Sequence, residues 1–446
     1  MSVAADPLVI DASPTKELFI FMLVRDIPLI RAILDLIDNS IDGAHRDHTG
    51  DDYSDYIIRI EVNKDHFKIV DNCGGIPVKI ARDYAFRFGR PEGVDLTPGS
   101  IGKFGVGMKR TFFKLGKKFK VISTTSTSYF VVDEDVEVWR KKQSDWHFHF
   151  KEIQENIKDM SKDKIGTYIE ITSLHEHIAN EFDLENFRTS LIQEIETAHS
   201  VVMDKGLIIT LNSIPLRSHA LSFYHSDELK PAFTEKTYPD IGTSPVTVKI
   251  YAGVSDRSIS EGGWYIFCNG RMVLESDQTM VTGWGEGNEA KIPKYHADFA
   301  FFRGYAFFDS DDAELLPWTT TKTGVDSDSL LYKSVRLEMI TLMRPVLDFL
   351  RKMAAERAQK EKGEIDESPR ESLLGTSQVK YSDIKEKSLF IAKPRIIQVP
   401  VGPRMGSIQY YKPEDEIKKA KKILRATYNK EVGEKTFDYF IENEVE

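Results

Sequence analysis

Between Ile27 and Lys109, three polar segments break an otherwise ordinary apolar pattern, and their order restricts the fold more than any other feature of the chain. The first lies on a helix. Ile30, Ile33, Leu34, Ile37, Ile41 and Ala44 recur at helical spacing and predict an amphipathic helix over 27–44. Asp35, Asp38, Asn39 and Asp42 fall on the opposite face, with Asp35 one turn from Asn39 and Asp38 one turn from Asp42. Stacked like charges destabilise an isolated helix by a few tenths of a kcal/mol. The face is therefore either a solvated acidic surface or a carboxylate and carboxamide arranged around a cation. The second segment ends a strand. IIRIEV (57–62) and HFKIV (66–70) flank the turn Asn63-Lys64-Asp65, and the second runs into DNCGGIP (71–77). Asp71 can accept a hydrogen bond from an exocyclic amine, and Gly74 and Gly75 let backbone approach a flat ring. An ordinary Asp/Gly turn has the same composition. The third segment, Gly102-Lys103-Phe104-Gly105-Val106-Gly107, opens a helix expected from near Val106 to Gly116. Free N–H groups at a helix start cradle phosphate. The segment lacks the Gly-Lys-Ser/Thr ending of a P-loop and does not follow the first strand as a dinucleotide-binding turn would.

In this order the segments resemble the GHKL ATPases, which include gyrase, heat-shock chaperone ATPases, histidine kinases, MutL and the MORC proteins. LDLIDNSIDGA (34–44) is similar to their N-box, DNCGGI to the Asp-x-Gly-x-Gly box, GKFGVGMK to the phosphate-binding lid box, and Gly166-Thr167 of GTYIEI to the fourth box. The resemblance implies a Bergerat-type α/β sandwich. It also implies ATP as ligand, Mg²⁺ held by Asn39, and the adenine amine taken by Asp71 with help from Gly75, Ile76 and Thr167. Gly102, Lys103, Phe104, Gly105, Val106 and Gly107 would bind phosphate. Lys109 is either a further phosphate contact or a surface helix lysine. The family's general base is usually a glutamate four residues before the N-box asparagine. Asp35 stands there, one methylene shorter, which puts the hydrolysis rate in question. Cys73 replaces the first glycine of the second box and reads as a small hydrophobe.

The whole chain reads as α+β. The first domain is expected over 1–175. Its loop 89–107 has six glycines and two prolines, and the part 89–104 is expected to be a lid. A second domain over 176–356 contains a helix at 183–199. Its strands are LIITLNSIPL (207–216), VTVKIYAGV (246–254) and WYIFCNGRMVL (264–274), with a hairpin signal at Asn269-Gly270. A long helix over about 329–356 closes it and includes Pro345. These strands are similar to the S5-like transducer domain of MutL and MORC proteins. LPWTTTKTGVD (315–326) resembles its lysine-bearing loop, which makes Lys322 a catalytic candidate beside Asp35. Residues 357–380 have a linker composition, and a small C-terminal module is expected over 381–446. That module contains the basic run 417–430.

The resemblance, closest in layout to MORC and MutL, implies a dimer that closes on ATP, as a DNA-associated clamp. The alternative is a chaperone-like or regulatory nucleotide-gated interaction protein, for example in bacterial defence. A DNA or protein client is the partner in either reading. Net charge is −10, which argues against general coating of a polyanion. Two cysteines exclude a disulfide scaffold and predict a cytoplasmic setting. The apolar run Leu18 to Val24 is too short for a bilayer, which needs roughly 20 residues, so no membrane association is expected.

Overall fold

The computed structural model describes residues 15–25, 27–48, 50–89, 99–102, 107–142, 145–239, 242–287, 292–375, 377–395, 406 and 408–444. By contacts the chain divides into two compact units. Met1–Ala354 with Pro369–Ile396 form the first, and Ala355–Ser368 with Ile397–Glu446 form the second.

The first unit opens with helices α1 (Lys16–Arg25) and α2 (Leu29–Asp47), then the hairpin β1 (Ile57–Val62) and β2 (His66–Asp71). The short helix α3 (Val78–Ile80) runs into a π-turn at Ala81–Ala85. Helix α4 (Gly107–Leu115) passes directly into β3 (Gly116–Thr124), followed by β4 (Tyr129–Asp135), α5 (Val136–Lys141), β5 (Phe150–Gln154) and β6 (Gly166–Leu174). Helices α6 (Glu176–Asp183), α7 (Glu185–Ala198) and α8 (Ser200–Asp204) precede β7 (Ile208–Leu211) and β8 (Ile214–Pro215). These eight strands make one sheet in the order β5-β4-β3-β6-β2-β1-β7-β8. All neighbours are antiparallel except β1 and β7. The alternating burial of β1 and β2 shows why the sheet has one apolar face: Ile58, Ile60, Val62, Phe67 and Ile69 point into the core. Helix α2 packs its Ile33, Leu34, Ile37 and Ile41 into that core and lies against α4.

After β9 (Ser222–Tyr224) and β10 (Leu229–Lys230), a second sheet is built from β11 (Ala232–Tyr238), β12 (Val246–Val254), β13 (Gly263–Cys268), β14 (Arg271–Asp277) and β15 (Phe302–Asp309). Its order is β11-β12-β15-β13-β14, with β13 and β15 parallel. The central strands are buried on both faces. Trp264, Ile266, Ala306 and Phe308 join the main core, whereas Tyr265, Phe267, Tyr305 and Phe307 form a separate aromatic cluster. Helix α9 (Leu330–Glu361) buries Leu331, Val335, Met339, Val346, Phe349 and Met353, and continues through Pro345. Short strands β16 (Gln378–Lys380) and β17 (Ile391–Ala392) pair with β9 and β10. In the second unit, α10 (Glu414–Leu424) and α11 (Asn429–Glu444) have no buried residue.

Several local expectations shift. The helix read at 183–199 is α7, Glu185–Ala198, and the extended Leu184 separates it from α6. Strands β5, β11 and β15 carry no simple two-residue alternation and escape the sequence pattern. Within the basic run 417–430, α10 ends at Leu424 and Arg425 is left-handed at φ 49°. No helix among the described residues is long and apolar enough to cross a membrane.

Candidate functional site

Helix α2 supplies the centre of the site. The opposite face of this helix is not a solvated acidic surface, because Asp35, Asp38 and Asp42 are all buried. Asp35 and Asp38 share Lys322, whereas Asp42 meets backbone. Asp35 Oδ2 accepts from Arg110 Nη2 of α4 at 2.5 Å, and its Oδ1 from Lys322 Nζ at 3.3 Å. Asp42 accepts the backbone N–H groups of Ile101 at 2.6 Å and Gly102 at 2.8 Å. Burial raises the Asp42 pKa to about 6, against the pull of those two hydrogen bonds. Asn39 lies between them, and its Nδ2 is buried with no hydrogen-bond partner.

Asp71 ends β2 in register with Thr167 on β6, and Thr167 is in register with Ser123 on β3. Three adjacent strand ends therefore converge. The Asp71 carboxylate accepts from Ser40 Oγ at 2.6 Å, Cys73 N–H at 2.9 Å and Thr167 N–H at 3.1 Å. Burial raises its pKa, and the same three donors oppose the shift. Ile76 N–H donates to Ser123 Oγ at 2.6 Å. Gly75 has φ 71°, and a Cβ there would lie 2.1 Å from the Thr124 carbonyl oxygen. Gly166 explains the fourth box, since its Cβ would lie 1.9 Å from the Asp71 carbonyl oxygen. Cys73 is buried in the core and its thiol pKa is pushed up by burial, as a small hydrophobe would be placed.

Gly107 starts α4, and a Cβ there would sit 3.0 Å from Asp35 Oδ2, so glycine permits the close approach. Lys103, Phe104, Gly105 and Val106 lie outside the described residues, as does most of the expected lid, 90–98 and 103–104. Lys109 is not a surface lysine. It is buried, its Nζ donates to the Ala85 carbonyl at 2.8 Å, and burial lowers its pKa to about 7. Its neighbour Arg110 reaches Asp35 instead, a residue that helical spacing from Gly107 could have flagged.

Lys322 sits in a turn closed by its own N–H to the Thr319 carbonyl, at φ 54°. Its Nζ donates to Asp38 Oδ2 at 2.7 Å as well as to Asp35. Burial alone would lower its pKa, but Asp38 and Asp35 raise it overall. Sequence reasoning missed the other partners of Asp38. Arg271 Nε is 3.1 Å from Oδ1, an ion pair without hydrogen-bond alignment, and His199 Nε2 is 3.6 Å away. Nothing in the local sequence around Arg271 marks it. Asn269, at the tip of the same β13–β14 hairpin, donates to the carbonyls of Ser100 and Ser310 at 3.0 Å. A cavity of about 670 Å³ adjoins this tip, lined by His45, Lys205, Tyr251, Asn269 and Tyr381; Asp35, Asn39 and Asp71 do not line it.

Residues 27–167 match the family model of histidine kinase-, DNA gyrase B- and HSP90-like ATPases. The matched stretch begins at the residues leading into α2 and ends on Thr167, so it contains the whole run of boxes described above. It supports placing this segment, about a third of the chain, in the GHKL superfamily, with the ATP-binding function that goes with it. No curated protein matches the chain.

Proposed function

We propose that the protein is an Mg²⁺-dependent ATPase in which ATP binding couples the GHKL segment to the second sheet. The observation that carries this reading is the reach of helix α2. Ser40 holds the adenine-side carboxylate Asp71, Asp42 holds the phosphate-side backbone at Ile101 and Gly102, and Asp35 meets Arg110 and Lys322. Asn39 stands among them with an amide that the protein leaves uncommitted. Such a carboxamide can turn its oxygen to a cation. Among the described residues no group of three His, Cys, Asp or Glu forms a metal site. An ion that takes most of its ligands from phosphates and waters does not need one. Bound Mg²⁺, held by Asn39, would neutralise charge on the transferring phosphate.

The residues divide the work. Asp71 and Thr167 would recognise the adenine edge, with Gly75 and Ile76 giving a close backbone approach. Gly102 to Gly107 would cradle the phosphates, and Asp35 would orient and deprotonate the attacking water. Lys322 would exchange its carboxylates for the terminal phosphate as a compact charge. We further propose ATP-dependent lid closure and homodimerisation. The exposed apolar residues Leu18, Phe21 and Met22 of α1 support a second copy as partner. The client reading is a DNA-associated clamp of the MORC or MutL kind, supported by exposed Lys418, Lys419 and Lys422 on α10. A protein client, chaperone-like or regulatory, is the alternative.

Calorimetric titration with ATP tests the core of this proposal. In Asp71→Asn an amide N–H would face the adenine amine, a donor against a donor. ATP affinity is expected to fall about 10- to 100-fold, the cost of a buried mismatch of about 1–3 kcal/mol. Unchanged affinity with unchanged folding would reduce Asp71 to a turn residue.

A further inference from the structure

Asp38 is the one fully buried carboxylate of α2, at 0% exposure, and the proposed chemistry does not use it. Its two oxygens are divided between two cations. Lys322 takes Oδ2 at 2.7 Å, and Arg271 faces Oδ1 at 3.1 Å. His199 is 3.6 Å from Oδ1, and burial, reinforced by Arg271 and Lys322, lowers its pKa and keeps it neutral. The two cations differ in freedom. Arg271 is 2% exposed on β14, directly after the Asn269-Gly270 turn, and pairs in register with Cys268. That turn is fastened through Asn269 to Ser100 and Ser310. Lys322 sits on a loop turn, with its ammonium shared between Asp38 and Asp35.

We propose that Arg271 is a positioning residue, which keeps Asp38 compensated so that Lys322 can leave it for the terminal phosphate of ATP. The inference rests on the reading of Lys322 given above. A buried carboxylate stripped of every cation is strongly disfavoured, and more so than the loss of one of two partners. If Lys322 were the sole partner of Asp38, its departure would leave a bare buried charge, and the lysine would stay. With Arg271 fixed on the other oxygen, the departure leaves an ion pair behind. A guanidinium suits this post because it remains charged at any working pH and its strand cannot follow the lysine. The same hairpin holds Ser100, beside the backbone that Asp42 grips. The second sheet therefore touches both the cation exchange and the phosphate-side loop through one turn.

The test compares ADP with a non-hydrolysable ATP analogue, in Mg²⁺, on the full chain. Arg271→Gln is expected to leave ADP affinity within about threefold and to lower analogue affinity at least about tenfold, because Lys322 is now held by an otherwise bare carboxylate. Arg271→Lys should recover part of the loss, since it restores charge without the planar fork. Adding Asp38→Asn to Arg271→Gln should restore the wild-type preference, because the holding charge is gone. A merely structural role would weaken both nucleotides together and would not be rescued by Asp38→Asn. Wild-type preference in Arg271→Gln overturns the proposal. Should Arg271→Gln fail to fold, Asp38→Asn alone decides. It should raise analogue affinity relative to ADP, and an unchanged or lowered preference overturns the inference. Lys322→Ala separates this failure from that of the underlying reading. If Lys322→Ala keeps the wild-type preference, Lys322 does not meet the phosphate at all. If it loses the preference while Arg271→Gln keeps it, only the role of Arg271 falls.

Discussion

Asp35 occupies the place of a glutamate and is one methylene shorter, yet it is gripped by Arg110 from α4 and by Lys322 from the second half of the chain. If Lys322 leaves for the terminal phosphate, Arg110 still fixes the carboxylate's position. Asp35→Asn is expected to keep ATP affinity within a few-fold and to slow turnover at least about 100-fold, the usual scale of a general base. Steady-state hydrolysis beside calorimetry checks this, and wild-type turnover in the variant would assign the base elsewhere. Asp42 adds a pH dependence. Its folded pKa of about 6 lies above the ordinary 3.8, so between those values the native state binds the extra proton. Its contribution to stability is therefore present below 3.8 and is lost as pH rises through about 6. Function runs the other way. Protonation removes an acceptor from the Ile101 and Gly102 amides, so ATP affinity should weaken as pH falls below about 6. Asp42→Asn should flatten that part of the profile, as titrations from pH 5 to 8 would show; an equal slope in the variant would assign the effect to another group, such as Asp71.

At the scale of elements, the β13–β14 hairpin is the decisive piece. Asn269 at φ 47° and Gly270 at φ 74° form the tight turn that the Asn-Gly pair announces. Which carbonyls the Asn269 side chain would reach is set by the docking of the hairpin, not by the turn. Asn269→Gly keeps the backbone conformation and removes both side-chain bonds. Amide exchange at Ile101 and Gly102 should speed up, while β12, β13 and β15 keep their protection. Unchanged exchange at 101–102 would show that Asp42 alone holds that backbone. Sequence periodicity located α2, β1, β2, α4 and α9 because each has one apolar face in a simple period. It missed β15, where the buried Arg303 and Gly304 interrupt the apolar residues of FRGYAFFD and no two-residue period survives.

For the molecule as a whole, the proposed second copy would dock on apolar side chains that α1 leaves in solvent. Leu18, Phe21 and Met22 of α1 are each more than half exposed. Phe21→Glu is expected to leave ATP binding intact and to abolish dimerisation in an ATP analogue, measured by light scattering. A dimer of wild-type strength would move the interface off α1. Removal of residues 397–446 should abolish any salt-sensitive DNA binding, since the exposed lysines of α10 go with it. Retention of binding would place the DNA surface on the first unit, and no binding by the intact chain at low salt would favour a protein client.

Features that depend on near neighbours in the chain are legible from the residues alone. The apolar period of α2, the strand-end position of Asp71 and the need for glycine near a ring or a phosphate are properties of a few consecutive residues. The order of the boxes along the chain carries the nucleotide-binding reading. Tertiary structure alone decided the partners of the acids on α2. Asp38 lies 233 residues from Arg271 and 284 from Lys322, and no local pattern encodes which cation meets which carboxylate oxygen. It also decided between the open readings: the acidic face of α2 is a set of buried anchors, and Lys109 is buried. The physical reason is the same in each case. A charge is tolerated inside a protein when a fitting partner arrives from elsewhere in the chain, and that arrival is a property of the folded whole.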